Sequence, residues 1–90
     1  MEANREYTIG RNGHIYIADP SVSAIHATIK IVNGKIYLRD MDSTNGTYLL
    51  KNKKLVYFKE GFVTLDQPIV IGKKSYSVRK FLRKISIFSN

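Results

Sequence analysis

The chain has no cysteine and no tryptophan, only two histidines and two prolines, and no apolar run of the length a membrane-spanning helix needs. Each scarcity excludes something. Without thiols there is neither a disulfide framework nor a thiolate metal site, and His14 and His26 alone supply a histidine-based site poorly, so no metal and no cofactor is expected. Absent cysteine fits the reducing cytoplasm. The N-terminal stretch "MEANREYTIG" has acidic residues and no apolar signal-peptide core, so the sequence reads as a soluble, unsecreted protein without a membrane span. Acidic residues are the other shortage, 7 Asp and Glu against 15 Lys and Arg, for a formal net charge of +8 at pH 7. Such a field draws in anionic partners and makes binding salt-sensitive, but it identifies a sign rather than a ligand.

What is present is a core. A hydrophobic share of 43%, with six tyrosines and four phenylalanines, places the chain among globular sequences. Its 90 residues suffice for one domain, expected to be a monomer, and leave no room for a separate catalytic domain.

The hydrophobic period is mostly two. Ile15 and Ile17 alternate with Tyr16 and Ala18, Ile29 and Ile31 with Thr28 and Lys30, Ile36 and Leu38 with Tyr37 and Arg39, and Ile69 and Ile71 flank Val70. Turn signals separate these runs at Asn12-Gly13, Asp19-Pro20, Asn33-Gly34, Asn45-Gly46, Glu60-Gly61 and Gly72. Asn33-Gly34 is the strongest hairpin signal, because a type I′ turn needs positive φ at both central positions. Many short strands at regular spacing predict an all-β, antiparallel sandwich of roughly ten strands. In "SVRKFLRKISIFSN" the period changes: Val78, Phe81, Leu82, Ile85 and Phe88 fall at helical spacing, with Arg79, Lys80, Arg83 and Lys84 opposite. Two outcomes stand open, a short basic amphipathic helix or a last strand running on to about Phe81. The expected division is a domain over 1–78 and a basic extension over 79–90.

Ser23, His26 and Asp40 invite a triad reading, which fails on its requirements. A serine nucleophile needs a sharp elbow such as G-x-S-x-G and an oxyanion hole, and no such elbow exists here, so the chain is not expected to be an enzyme. Another grouping is Gly10-Arg11, Ser23 with His26, and Ser43-Thr44-Asn45-Gly46-Thr47, each at the end of a predicted strand. A sandwich gathers such loops at one edge. Arg11 can grip a phosphate or carboxylate through two parallel N–H bonds, Ser23 and Thr44 offer hydroxyl donors, and Asn45 offers an amide. Simpler roles compete: Arg11 in a surface ion pair with Asp40 or Asp42, Asn45 closing an Asx turn, Asp42 and Ser43 capping the loop, Gly10 and Gly46 as turn glycines, and His26 fastening two loop segments.

G-R, S-x-x-H and S-T-N-G-T in this order resemble the forkhead-associated (FHA) domain, a phosphothreonine-binding β-sandwich of FHA/SMAD-like architecture, over about Tyr7 to Val78. The resemblance implies that Arg11, Ser23 and Thr44 contact the phosphate and that Asn45 hydrogen-bonds the peptide backbone. His26 and Gly46 would hold the loops in shape, with Gly10 and Ser43 in structural roles beside them. The implied partner is a protein phosphorylated on threonine by a Ser/Thr kinase, in cytoplasmic signalling. Three positions depart from the family pattern. Ala24 follows Ser23 where the family often has a polar or basic residue, Lys51-Asn52-Lys53-Lys54 replaces an Asn-Gly turn, and "LDQPIVIG" is one residue shorter than L-x-G-D-x-I-x-I-G. Two rival readings remain: a phosphate-independent interaction module on the same fold, and weak charge-driven nucleic-acid binding with no specific nucleic-acid site.

Overall fold

A computed structural model of the chain describes residues 5–85. Its strands are β1 (Glu6–Gly10), β2 (Ile15–Tyr16), β3 (Ala27–Val32), β4 (Lys35–Asp40), β5 (Thr47–Lys51), β6 (Lys54–Tyr57), β7 (Glu60–Val63), β8 (Pro68–Ile71) and β9 (Lys74–Ser77), followed by helix α1 (Val78–Lys84). Five strands form one sheet in the order β2-β1-β3-β4-β7, and four form the other as β6-β5-β8-β9. The inward positions are those the period of two picks out. Ile9, Ile29 and Leu38 come from the first sheet and Leu49, Ile69 and Ile71 from the second, all buried, each contributing roughly 1.5–3 kcal/mol by leaving water.

Asn33 and Gly34 both have positive φ, as the hairpin between β3 and β4 requires. That hairpin registers Ile29 with Leu38 and Ala27 with Asp40. At the end of the sheet opposite the turn, the Met41 N–H donates to the His26 carbonyl at 2.9 Å. The chain segments on either side of the hairpin therefore leave the sheet side by side.

Nine strands stand among the described residues where about ten were expected, and one pairing is not antiparallel. Strand β2 runs parallel to β1, with Ile9 opposite Ile15. The cause is local. The Thr8 N–H donates to His14 Nδ1 and the His14 N–H to Thr8 Oγ, each at 3.0 Å, which closes residues 9–13 into a loop that returns the chain alongside itself. The strand expected to continue to Ala18 ends at Tyr16.

The C-terminal alternatives resolve to the helix. Ser77 caps it, its side chain accepting from the Lys80 N–H, and Val78, Phe81 and Leu82 are fully buried against both sheets' apolar residues. Ile85 packs against the same core, while Phe88 lies outside the described residues. Strand β6 is an edge exposed at every position, guarded by Lys51, Lys53 and Lys54 at its turn.

Candidate functional site

Residues 20–26 and 41–46 leave the β3–β4 hairpin together, and residues 11–14 follow β1, so all three loops meet at one end of the sandwich. Gly10 makes the first approach close enough. A Cβ there would stand 2.3 Å from the Ala24 carbonyl oxygen and 2.6 Å from that of Ser23, both backbone atoms that cannot yield. With that space left open, the Arg11 N–H donates to the Ser23 carbonyl at 3.2 Å and the Asn12 N–H to the Ala24 carbonyl at 2.9 Å.

The segment Ser21–Ser23 is the hub of the cluster. Arg11 Nε donates to the Val22 carbonyl at 2.6 Å, Asn45 Nδ2 to the Ser21 carbonyl at 2.8 Å, and the Thr44 N–H to Ser23 Oγ at 3.0 Å. Residues 11 to 24 positions away in sequence are thus tied to three consecutive residues. The bonds leave specific atoms over. Ser23 Oγ accepts from Thr44, so its own O–H remains a donor. Arg11 uses Nε for its tether, and the guanidinium takes part in no ion pair among the described residues. Both carboxylates proposed as its surface partners are engaged elsewhere: Asp40 within its own loop and Asp42 with Lys59 Nζ at 2.7 Å. That contact with Lys59 lowers the Asp42 pKa and raises that of Lys59.

His26 is fully buried and joins two of the loops. Its Nδ1 accepts from the Ser23 N–H at 3.1 Å, which fixes the proton on Nε2, and Nε2–H donates to the Gly46 carbonyl at 2.8 Å. No triad forms. His26 touches the Ser23 backbone rather than its hydroxyl, and Asp40 bonds neither residue's side chain. Gly46 itself has φ of +85°, and a Cβ there would press on the Tyr48 ring at 3.0–3.1 Å.

Asp40 organises the remaining loop. Its carboxylate, 2% exposed, accepts from the Ser43 N–H, the Ser43 hydroxyl and the Thr47 hydroxyl, and Ser43 Oγ in turn accepts from the Gly46 N–H at 3.0 Å. Considered from sequence only as a triad acid or an ion-pair partner of Arg11, Asp40 is instead the acceptor that shapes residues 43–47. Asp19, read from sequence only as part of the Asp19-Pro20 turn signal, likewise accepts from the Ser21 N–H, the Ser21 hydroxyl and the Lys73 N–H and so steadies the hub from behind. An Asp three residues before a Ser, or two before one, was the signal available for each.

Among the described residues, no cluster of His, Asp or Glu could hold a metal ion, and no helix is long and apolar enough to cross a membrane. What the cluster offers is a set of donors aimed outward from a fixed hub, suited to an anion bearing several acceptor oxygens.

Comparison with known proteins agrees with this architecture. Solved structures of the same fold include an FHA domain analysed for phosphothreonine-dependent interactions, with TM-score 0.71 and 23% identity over 83% of this chain and 75% of that one. The FHA domain of protein CT664 from Chlamydia trachomatis has TM-score 0.71 and 22% identity over 86% and 77%. The FhaA FHA domain, solved in complex with the intracellular domain of Rv3910, has TM-score 0.68 and 26% identity over 83% and 80%. No curated protein matches the chain. The family model described as FHA domain matches residues 7–63, well over half the sequence, and the chain belongs to the FHA domain family.

Proposed function

We propose that the chain is an interaction module, not an enzyme, that binds proteins phosphorylated on threonine by a Ser/Thr kinase. The observation that carries this reading is the Ser21–Ser23 hub, which tethers Arg11, Thr44 and Asn45 while the Arg11 guanidinium and the Ser23 and Thr44 hydroxyls remain available as donors. A phosphomonoester carries about −1.5 to −2 charges at pH 7 and three strong acceptor oxygens, which matches that donor set in sign and number. Arg11, Ser23 and Thr44 take the phosphate. Asn45, with one N–H committed to Ser21, uses its remaining amide groups on the peptide backbone. Gly10, His26, Ser43 and Gly46 hold the loops in place.

Two neighbours lend support in their own right: one FHA domain is described by its phosphothreonine-dependent interactions, another was solved with the intracellular domain of a second protein. Ala24 supplies no side-chain donor beside Ser23, so affinity in the tens of micromolar, about −6 kcal/mol, is expected. The module acts as a monomer in the cytoplasm, in signalling.

Calorimetric titration with matched peptides carrying threonine, phosphothreonine or phosphoserine tests the reading. The expected order is phosphothreonine over phosphoserine by more than about tenfold, since methyl burial gives roughly fourfold and a fixed approach of the phosphate adds the rest. The bare threonine peptide should not bind. Equal affinity for the bare peptide would remove the phosphate site and favour a phosphate-independent module.

A further inference from the structure

The hub is backed by the turn between β8 and β9. A Cβ at Gly72 would stand 2.7 Å from Val22 Cγ2 and 3.0 Å from Ser21 Oγ, and the Lys73 N–H donates to Asp19 at 3.0 Å. Lys73 and Lys74 therefore start beside the residues that tether Arg11 and Asn45. From there a cleft of about 350 Å³, with Asp19, Lys73 and Tyr76 in its walls, adjoins a second of about 300 Å³. The two share Ile17, Ala18, Lys74 and Tyr76. The second is bounded by Tyr16, 61% exposed on β2, and by Lys80 and Lys84 on α1.

The charge along this groove is unbalanced. Lys73, Lys74, Lys80 and Lys84 make no salt bridge among the described residues, and the one carboxylate in the walls, Asp19, is already taken by Ser21 and the Lys73 backbone. Like charges held along a concave surface repel one another and focus the field between them, which an extended polyanion relieves. The aromatic groups narrow its identity. Tyr76 is 8% exposed and has Lys80 Nζ 5.7 Å above its ring, so Tyr16 is the one open aromatic in the groove. A nucleic-acid strand would want successive stacking platforms, whereas an acidic peptide needs only the lysines and room to lie extended.

We propose that this lysine-lined groove binds an acidic stretch of the same partner that carries the phosphothreonine, so that the preferred ligand is a phosphothreonine flanked on one side by Asp and Glu. The inference rests on the phosphothreonine reading, because two residues in the groove's wall, Asp19 and Lys73, adjoin the hub of that site through the Asp19–Ser21 hydrogen bonds. Phosphate and acidic flank then form two linked contacts on one chain, and the second is gained without further loss of translational freedom.

The test compares three phosphothreonine peptides, one with neutral flanks, one with an acidic block before the phosphothreonine and one with the block after it, and a single-stranded oligothymidylate. At about 50 mM salt, one of the two acidic peptides should bind roughly tenfold tighter than the neutral peptide, with the gain largely gone at about 300 mM. Lys80→Gln/Lys84→Gln should abolish the gain and leave the neutral peptide's affinity within about twofold, while the charge-matched Lys51→Gln/Lys53→Gln keeps it. Equal binding of all three peptides overturns the proposal, and so does a gain that both double variants reduce alike, which would mark general attraction to the +8 chain. Oligothymidylate binding lost in Lys80→Gln/Lys84→Gln, with no preference among peptides, overturns it in favour of nucleic acid. The neutral phosphothreonine peptide against its unphosphorylated twin reports separately on the underlying phosphate site.

Discussion

The backbone N–H of Thr44 donates to Ser23 Oγ at 3.0 Å, so one hydroxyl both braces a neighbouring loop and keeps its proton for a ligand. The two side chains should therefore answer differently to removal. Ser23→Ala leaves the Thr44 N–H without its acceptor and removes a proposed phosphate donor, costing about 1 kcal/mol of stability and about 1.5–3 kcal/mol of binding. Thr44→Val, which keeps the branched shape, should cost comparable binding with an unchanged melting curve. If Thr44→Val unfolds as readily as Ser23→Ala, the division of labour between them is wrong.

Arg11 separates its tether from its charge. Arg11→Ala should weaken phosphopeptide binding by about 2–4 kcal/mol while circular dichroism stays native, since the side chain is exposed and the Val22 carbonyl that loses its donor costs only about 1–3 kcal/mol of stability. Arg11→Lys restores the charge but not the Nε bond to the Val22 carbonyl, and should recover only part of the affinity. Full recovery by lysine would show that charge, not placement, is what matters.

His26→Ala strands the Ser23 N–H and the Gly46 carbonyl together. A loss of about 1–3 kcal/mol is expected, lowering the melting temperature by roughly 4–8 °C for each kcal/mol. Affinity should fall with stability rather than independently of it. An unchanged melting curve with abolished binding would assign the ring to ligand contact.

The Asp19 carboxylate is held down from its ordinary 3.8 to about 2, first by the Ser21 N–H, then by the Ser21 hydroxyl and the Lys73 N–H. A carboxyl depressed in the folded state contributes its stability above the unfolded value and loses it as pH falls through the folded one. Between pH 3.8 and about 2 the parent should lose stability more steeply than Asp19→Asn, which lacks the titration. Superimposable acid-unfolding curves would rule the contribution out.

The turn joining β5 to β6 places Asn52 at φ +50° and Lys53 at φ +64°. Lysine has no local hydrogen bond to offset this conformation, and glycine is what such a turn favours at its second position. Lys53→Gly should raise stability by about 0.5–1 kcal/mol in urea denaturation, part of the relief being offset by the freer unfolded chain. Phosphopeptide affinity should not change, because β5 separates this turn from Thr47 and the site.

Side-chain patterns were legible in the sequence where one residue type has one structural use. Asn33-Gly34 announced its hairpin through the positive φ both tolerate, and Val78, Phe81 and Leu82 announced a helix by spacing, although a continued strand fitted the same short run. The gathering of Arg11, Ser23, Thr44 and Asn45 followed from strand-end placement and from family motifs. What stayed hidden was the backbone's share. The carbonyls of Ser21 and Val22 that position Asn45 and Arg11 have no sequence signature, since every residue carries one. The parallel β1–β2 pair depends on a bond between Thr8 and His14, six positions apart, which no periodicity reveals. Asp40 reads from sequence as a triad acid or an ion-pair partner of Arg11, because burial, the property that commits it to Ser43 and Thr47, is a tertiary fact.

The β3–β4 hairpin has its turn at one pole of the first sheet and the proposed binding loops at the other. Residues 33 and 34 are exposed, and a Cβ at Gly34 would meet nothing within 4 Å. The tip is thus the natural handle on the molecule. A fluorophore, a biotin or a surface linker attached there points the recognition end outward, and a chain immobilised by that handle presents every copy in the same orientation.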